Sequence, residues 1–166
     1  MNQGTVGNRI VGSTHNASEI LGKNLTEMTI EEVMEAQSST PRRLFAAGRY
    51  QIIPKTMVQV VAMSGLSRSE LFSKQNQDLL GKTLIYGRPK LAAYLGGSSN
   101  DIVAAQLDFA KEWASIPSPG PCENGTNRCR GTSFYGSGNQ ALHSEAEVRQ
   151  ALMDERARNL GEDVAT

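Results

Sequence analysis

Apolar positions recur every three or four residues through most of this chain, and residues that start or stop helices stand at the ends of those runs. The stretch from Thr29 to Gln37 predicts a short helix with Ile30, Val33, Met34 and Gln37 on one largely apolar face. Thr29 and Glu32 match the capping box, in which each side chain satisfies the other residue's backbone N–H, and Ser38-Ser39-Thr40-Pro41 ends the run. Pro54 to about Ser64 predicts a helix that buries Met57, Val58, Val60, Val61 and Met63 and stops at Gly65. A turn begun at Ser67 or Ser69 passes through Leu71-Phe72, and Ser73 caps a helix carrying Leu79, Leu80, Leu84 and Ile85. Gly81 inside that helix costs about 1 kcal/mol against alanine, which predicts close packing by a neighbour. Pro89 opens a further turn with Leu91, Ala92, Ala93 and Leu95, ended by Gly96-Gly97.

The strongest helical pattern follows, capped by Ser99 or Asn100, with Ile102, Val103, Ala105, Gln106, Phe109, Ala110 and Trp113 on one broad face. A second capping box, Ser144-x-x-Glu147, opens a charged helix to about Leu160, after which the last few residues fray. Residues 1–25 are rich in Gly, Asn, Ser and Thr and predict loop and short extended pieces rather than helix. Residues 117–140 predict a long loop of the length that is usually functional or disordered. The expected class is mainly α, a single domain over 1–166 with long loops, little or no β structure and no repeats.

Composition narrows the function classes. At 166 residues the chain is long enough for one domain with a proper core, and its 39% hydrophobic and 20% charged residues are ordinary for a globular protein. Seventeen basic and seventeen acidic side chains cancel, so no large field invites nucleic acid or an anionic membrane. There is no apolar run of about 18 residues, hence no expected membrane span, and no basic stretch followed by an apolar core, hence no expected secretory signal. Cys122 and Cys129, seven positions apart in the 117–140 loop, suit a small disulfide ring in an oxidising place, or two free thiols in a reducing one. Such a ring contributes roughly 2–3 kcal/mol by loop entropy. His15 and His143 lack ligand spacing, so neither a metal site nor another cofactor is expected, and no Ser-His-Asp signature appears.

The chemistry concentrates at Phe45-Ala46-Ala47-Gly48-Arg49-Tyr50-Gln51-Ile52-Ile53-Pro54-Lys55-Thr56-Met57. Gly48 permits a close approach or a backbone that a side chain forbids, Ile52 and Ile53 want burial, and Pro54 suits a first helical turn. Arg49, Tyr50 and Gln51 are thereby displayed just before a helix, where a braced loop is well placed to hold a ligand. Gly-Arg-Tyr-Gln-Ile-Ile-Pro-Lys-Thr resembles the Gly-x-x-Gln-(Ile/Leu)-x-Pro-x-Thr signature of lysozyme-like cell-wall enzymes, which include lytic transglycosylases and lambda-type phage endolysins. Glu112-Trp113-Ala114-Ser115-Ile116-Pro117 resembles the Trp-Ala-Ser-(Leu/Ile)-Pro segment of those endolysins. The resemblance implies a lysozyme-like fold and a glycan cleft lined by Tyr50 and Gln51, with Arg49 either beside it or a surface charge. It also implies that Ser133 and Tyr135, in a loop similar to the Ser-Tyr-Tyr-Gly type, lie beside the cleft. Trp113 stacks on a sugar or belongs to the core.

Glycosidic cleavage needs a carboxylic acid to protonate the leaving oxygen. The family's spacing, counted back from Gly48, lands near Glu32, with Glu31 and Glu35 beside it, and none is followed by the family's usual serine. Glu32 is the first candidate acid and Glu35 the second, with Glu19 behind them and Glu31 expected to face solvent. In phage-type relatives a segment similar to Asn2-Gln3-Gly4-Thr5 follows the acid, and that alignment places it upstream of Met1. The implied function is a peptidoglycan glycoside hydrolase cutting β-1,4 bonds between N-acetylglucosamine and N-acetylmuramic acid. Its expected place of action is the periplasm, reached without a signal peptide. The resemblance extends to type VI secretion effectors, which implies a cognate immunity protein occluding the cleft. A phage endolysin and a non-catalytic peptidoglycan-binding domain are the alternatives.

Overall fold

The computed structural model describes residues 5–6, 9–10, 17–120, 130–136 and 138–162. The described chain is mainly helical. Strands β1 (Thr5–Val6) and β2 (Arg9–Ile10) form one antiparallel pair with Thr5 opposite Ile10. Seven described helices follow: α1 (Ala17–Leu21), α2 (Ile30–Ser38), α3 (Pro54–Ser64), α4 (Lys74–Tyr86), α5 (Pro89–Leu95), α6 (Ile102–Ala110) and α7 (Glu145–Leu160), with a 3-10 turn at Leu25–Glu27. Two compact units result, residues 1–83 and 84–166, and their boundary falls within α4.

In the first unit α2 packs against α3. Leu25, Ile30, Val33, Leu44, Met57, Val60, Phe72 and Leu80 are buried outright. Burying each such side chain is worth about 1.5–3 kcal/mol. The 67–72 segment is tied to the start of α2: Ile30 N–H donates to Glu70 O at 2.8 Å, Glu31 N–H to Arg68 O at 2.9 Å, and Phe72 N–H to Met28 O at 2.8 Å. The Thr29–Glu32 capping box is present, and Gly65 closes α3 at φ 76°.

The second unit packs α5, α6 and α7 around Leu91, Tyr94, Leu95, Ala105, Ala110, Ile116, Val148 and Leu152. Two of its buried polar side chains, Asp108 and Gln106, are hydrogen-bonded. Lys90 N–H donates to Asp108 Oδ2 at 2.9 Å, and Gln106 donates to Pro117 O at 3.2 Å while accepting from Arg149 Nε at 3.0 Å. Arg156 of α7 reaches back to the α5–α6 corner, donating to Tyr94 O at 2.7 Å, to Ser99 O and to Asn100 Oδ1, with its guanidinium 4.8 Å from the Tyr94 ring centre. Ser144 and Glu147 form the second capping box.

Four expectations change. Residues 17–21 are helical, because Ala17, Glu19, Ile20 and Leu21 are followed by Gly22 at φ 78°, whose N–H closes the turn on Ser18 O at 2.9 Å. Val58 and Met63 are exposed at 50% and 61%, since only the Met57, Val60 and Val61 positions of α3 face the core. Ile53, expected to be buried, is likewise exposed at 40%, at the N-cap of α3. Asp101, not Ser99 or Asn100, caps α6 by accepting from Ala104 N–H at 2.9 Å, and the helix ends at Ala110, before Trp113. The Cys122–Cys129 disulfide and the fraying after residue 162 lie outside the described residues.

Candidate functional site

The central motif folds into a tight turn in the first unit. Ala47 and Ile52 pair antiparallel through two 3.0 Å hydrogen bonds, which leaves Gly48 to Gln51 as a four-residue loop. Two of its residues take left-handed backbone, Gly48 at φ 68° and Gln51 at φ 51°. Gly48 is required twice: besides its φ, a Cβ there would lie 2.5 Å from Gln77 Oε1 and 2.9 Å from the Phe72 ring. Gln51 bears the uncommon conformation with its own side chain, Nε2 donating to Gly48 O at 2.7 Å.

Beneath the loop lies the start of α4. Buried Gln77 accepts from Arg49 N–H at 3.1 Å and donates to Phe72 O at 2.9 Å. Asp78 Oδ1 accepts from Arg49 Nη1 at 2.8 Å and from Tyr50 Oη at 2.9 Å, and the Arg49 guanidinium stands 5.6 Å from the Tyr50 ring centre. The Tyr50 ring rests on Gly81, where a Cβ would come within 2.7 Å of ring carbons. Burial first, and the Asp78 carboxylate second, push the Tyr50 phenol above its usual range, so Tyr50 is a neutral hydroxyl at any physiological pH.

Glu32 is committed to structure. Its carboxylate accepts from Thr29 N–H at 2.8 Å and pairs with Lys23. Lys23 first, and the Thr29 N–H second, hold that carboxylate below its usual range, the opposite of what a proton donor needs. Glu35 is exposed, one turn along α2, and lines a groove of about 210 Å³ between α2 and α3 together with Glu31, Met34, Gln37, Val58 and Arg68. Glu31 pairs with Arg68 at 3.6 Å. Gln37 is 1% exposed, and its Nε2 donates to Phe45 O and to Ile52 O, both at 2.8 Å, so it clamps the two arms leading into and out of the Gly48–Gln51 loop.

Arg49, Tyr50, Gln51, Glu32 and Glu35 thus belong to the first unit, and Trp113, Ser133 and Tyr135 to the second. Trp113 is half-buried against that unit's core, edge-on to Phe109 at 5.3 Å between ring centres. Ser133 is buried and bridges to Pro117, while the half-exposed Tyr135 donates its hydroxyl to Lys111 O. Next to it Arg88 holds Glu112 at 2.7 Å and donates to Lys111 O at 3.0 Å.

Sequence reasoning missed Gln37, Gln77 and Asp78 as parts of the motif's support. Only Asp78 left a signal, standing three residues before Gly81 and therefore on the same helix face as the surface that receives Tyr50. No described helix is long and apolar enough to cross a membrane. Compared with known proteins, the chain matches no family model, no curated protein and no solved structure.

Proposed function

We propose that this chain is a peptidoglycan glycoside hydrolase that grips glycan with the Gly48–Ile52 turn. The observation that carries the reading is the preformed turn itself: Gly48 and Gln51 in left-handed backbone, with Arg49 and Tyr50 fixed on Asp78 and Gly81. A rigid display of an aromatic ring, a guanidinium and an amide suits a neutral, hydroxyl-rich polymer, because little side-chain freedom is lost on binding. The motif's resemblance to lysozyme-like enzymes supplies the substrate class and the bond cut.

Of the two candidate acids, Glu35 is the one without a structural duty, whereas Glu32 serves the α2 cap. Glycan laid over the α2–α3 groove would meet Glu35 on its wall, within reach of a leaving oxygen for general acid catalysis. Delivery as a type VI secretion effector, with an immunity protein covering the cleft, follows from the same resemblance.

Mass spectrometry of purified sacculi after incubation with the chain tests the reading. Reducing-end muropeptides are expected for hydrolysis and 1,6-anhydro ends for transglycosylation, with Glu35→Gln lowering release at least about 100-fold, as loss of a general acid does. Intact sacculi that nonetheless pellet the folded protein would establish the second reading, a non-catalytic glycan binder. The anion-stabilising surroundings of Glu32 favour that alternative.

A further inference from the structure

An exposed guanidinium, with its planar fork of donors, is a strong binder of carboxylates and phosphates. Arg49 presents one at the crown of the Gly48–Gln51 turn, beside the Tyr50 ring. Its surroundings add to that charge. Helix α4 carries three charged side chains, Lys74, Asp78 and Lys82, spaced four residues apart and hence on one helix face. Lys74 and Lys82 are exposed, one turn to either side of Asp78. Through the Arg49–Asp78 pair a further cation joins that face at its middle. Asp78 is the sole carboxylate of α4, and its Oδ1 accepts from both Arg49 Nη1 at 2.8 Å and Tyr50 Oη at 2.9 Å. Removing this carboxylate leaves Lys74, Arg49 and Lys82 as a row of cations.

We propose that Asp78 determines specificity: by holding Arg49 it keeps anionic polymers off the turn and reserves the grip for an uncharged glycan. This rests on the peptidoglycan reading and narrows the ligand at the turn to sugar without a free carboxylate or phosphate. An anionic ligand reaches the Arg49 fork only by displacing Asp78, and the displaced carboxylate then faces that ligand as a like charge. A sugar hydroxyl binds with the pair still closed. Because one oxygen serves Arg49 and Tyr50 together, opening the pair for an anion also unseats the Tyr50 hydroxyl.

The test compares calorimetric binding of chitotetraose, which is uncharged, with that of tetragalacturonate, which carries a carboxylate on every ring, at about 50 and 300 mM salt. Wild type is expected to prefer chitotetraose at least about tenfold. In Asp78→Asn, which keeps a side-chain oxygen for Tyr50, tetragalacturonate binding should rise at least about tenfold at the lower salt and fall back at the higher. Asp78→Ala, a better helix former, should show the same gain. Asp78→Glu retains the charge and should keep the wild-type preference, and adding Arg49→Gln to Asp78→Asn should cancel the gain. A merely structural Asp78 predicts neither result. No gain in Asp78→Asn and Asp78→Ala, a gain that survives the higher salt, or a gain retained without Arg49 would overturn the assignment while leaving the glycan reading standing. Failure of wild type to bind chitotetraose would remove both.

Discussion

Gly48 and Glu32 show what single residues contribute here. At Gly48 a side chain meets two obstacles, a left-handed φ of 68° and the Gln77 and Phe72 atoms within 3 Å of any Cβ. Gly48→Ala is expected to lower stability by about 2–4 kcal/mol in urea unfolding, from the left-handed penalty plus overpacking. A shift of a few tenths would mean that the turn re-forms without its glycine. For Glu32 the carboxyl is held below 4.5 by Lys23 and then Thr29. A depressed folded-state pKa stabilises the fold fully above the unfolded value and progressively less as pH falls through the folded one. Wild type should therefore exceed Glu32→Gln in stability at neutral pH, and the gap should close as pH drops below about 4.5. Denaturant midpoints across that range check it, and a gap that persists in acid would assign the stabilisation to something other than the carboxylate's charge.

Elements were legible where one local rule decided them. Thr29–Glu32 and Ser144–Glu147 form reciprocal caps, Pro54 and Pro89 open helices, and Gly65 closes one. The packing expected at Gly81 is the Tyr50 ring. Gly81→Ala should therefore destabilise despite the roughly 1 kcal/mol that alanine gains in a helix, because overpacking typically costs about 1–3 kcal/mol. The tyrosine fluorescence of Tyr50, isolated by difference against Tyr50→Phe, should change with it. Equal or higher stability would mean that Tyr50 slides aside at no cost. What stayed hidden depended on partners distant in sequence: Asp78 is defined by Arg49 and Tyr50, Gln37 by Phe45 and Ile52. Hydrophobic counting also over-buried α3, because apolar Val58 and Met63 lie off the stripe that Met57, Val60 and Val61 set.

At the scale of the molecule, each unit closes its own core, one around Phe72, Leu44 and Met57 and the other around Leu91, Tyr94 and Leu152. Neither the seventeen basic nor the seventeen acidic residues prevail, so attraction to a charged polymer has no net charge to draw on. Retention on sacculi should change less than twofold between about 50 and 300 mM salt, and a steep fall would point to an ionic contact instead of the neutral glycan grip. The α5–α6 corner has a different dependence. Arg156 fastens Tyr94 O from 62 positions further along the chain. During synthesis that corner emerges from the ribosome well before the side chain that holds it, so the second unit cannot finish setting until α7 has been made. A stalled nascent chain cut short before residue 156 would leave it ajar.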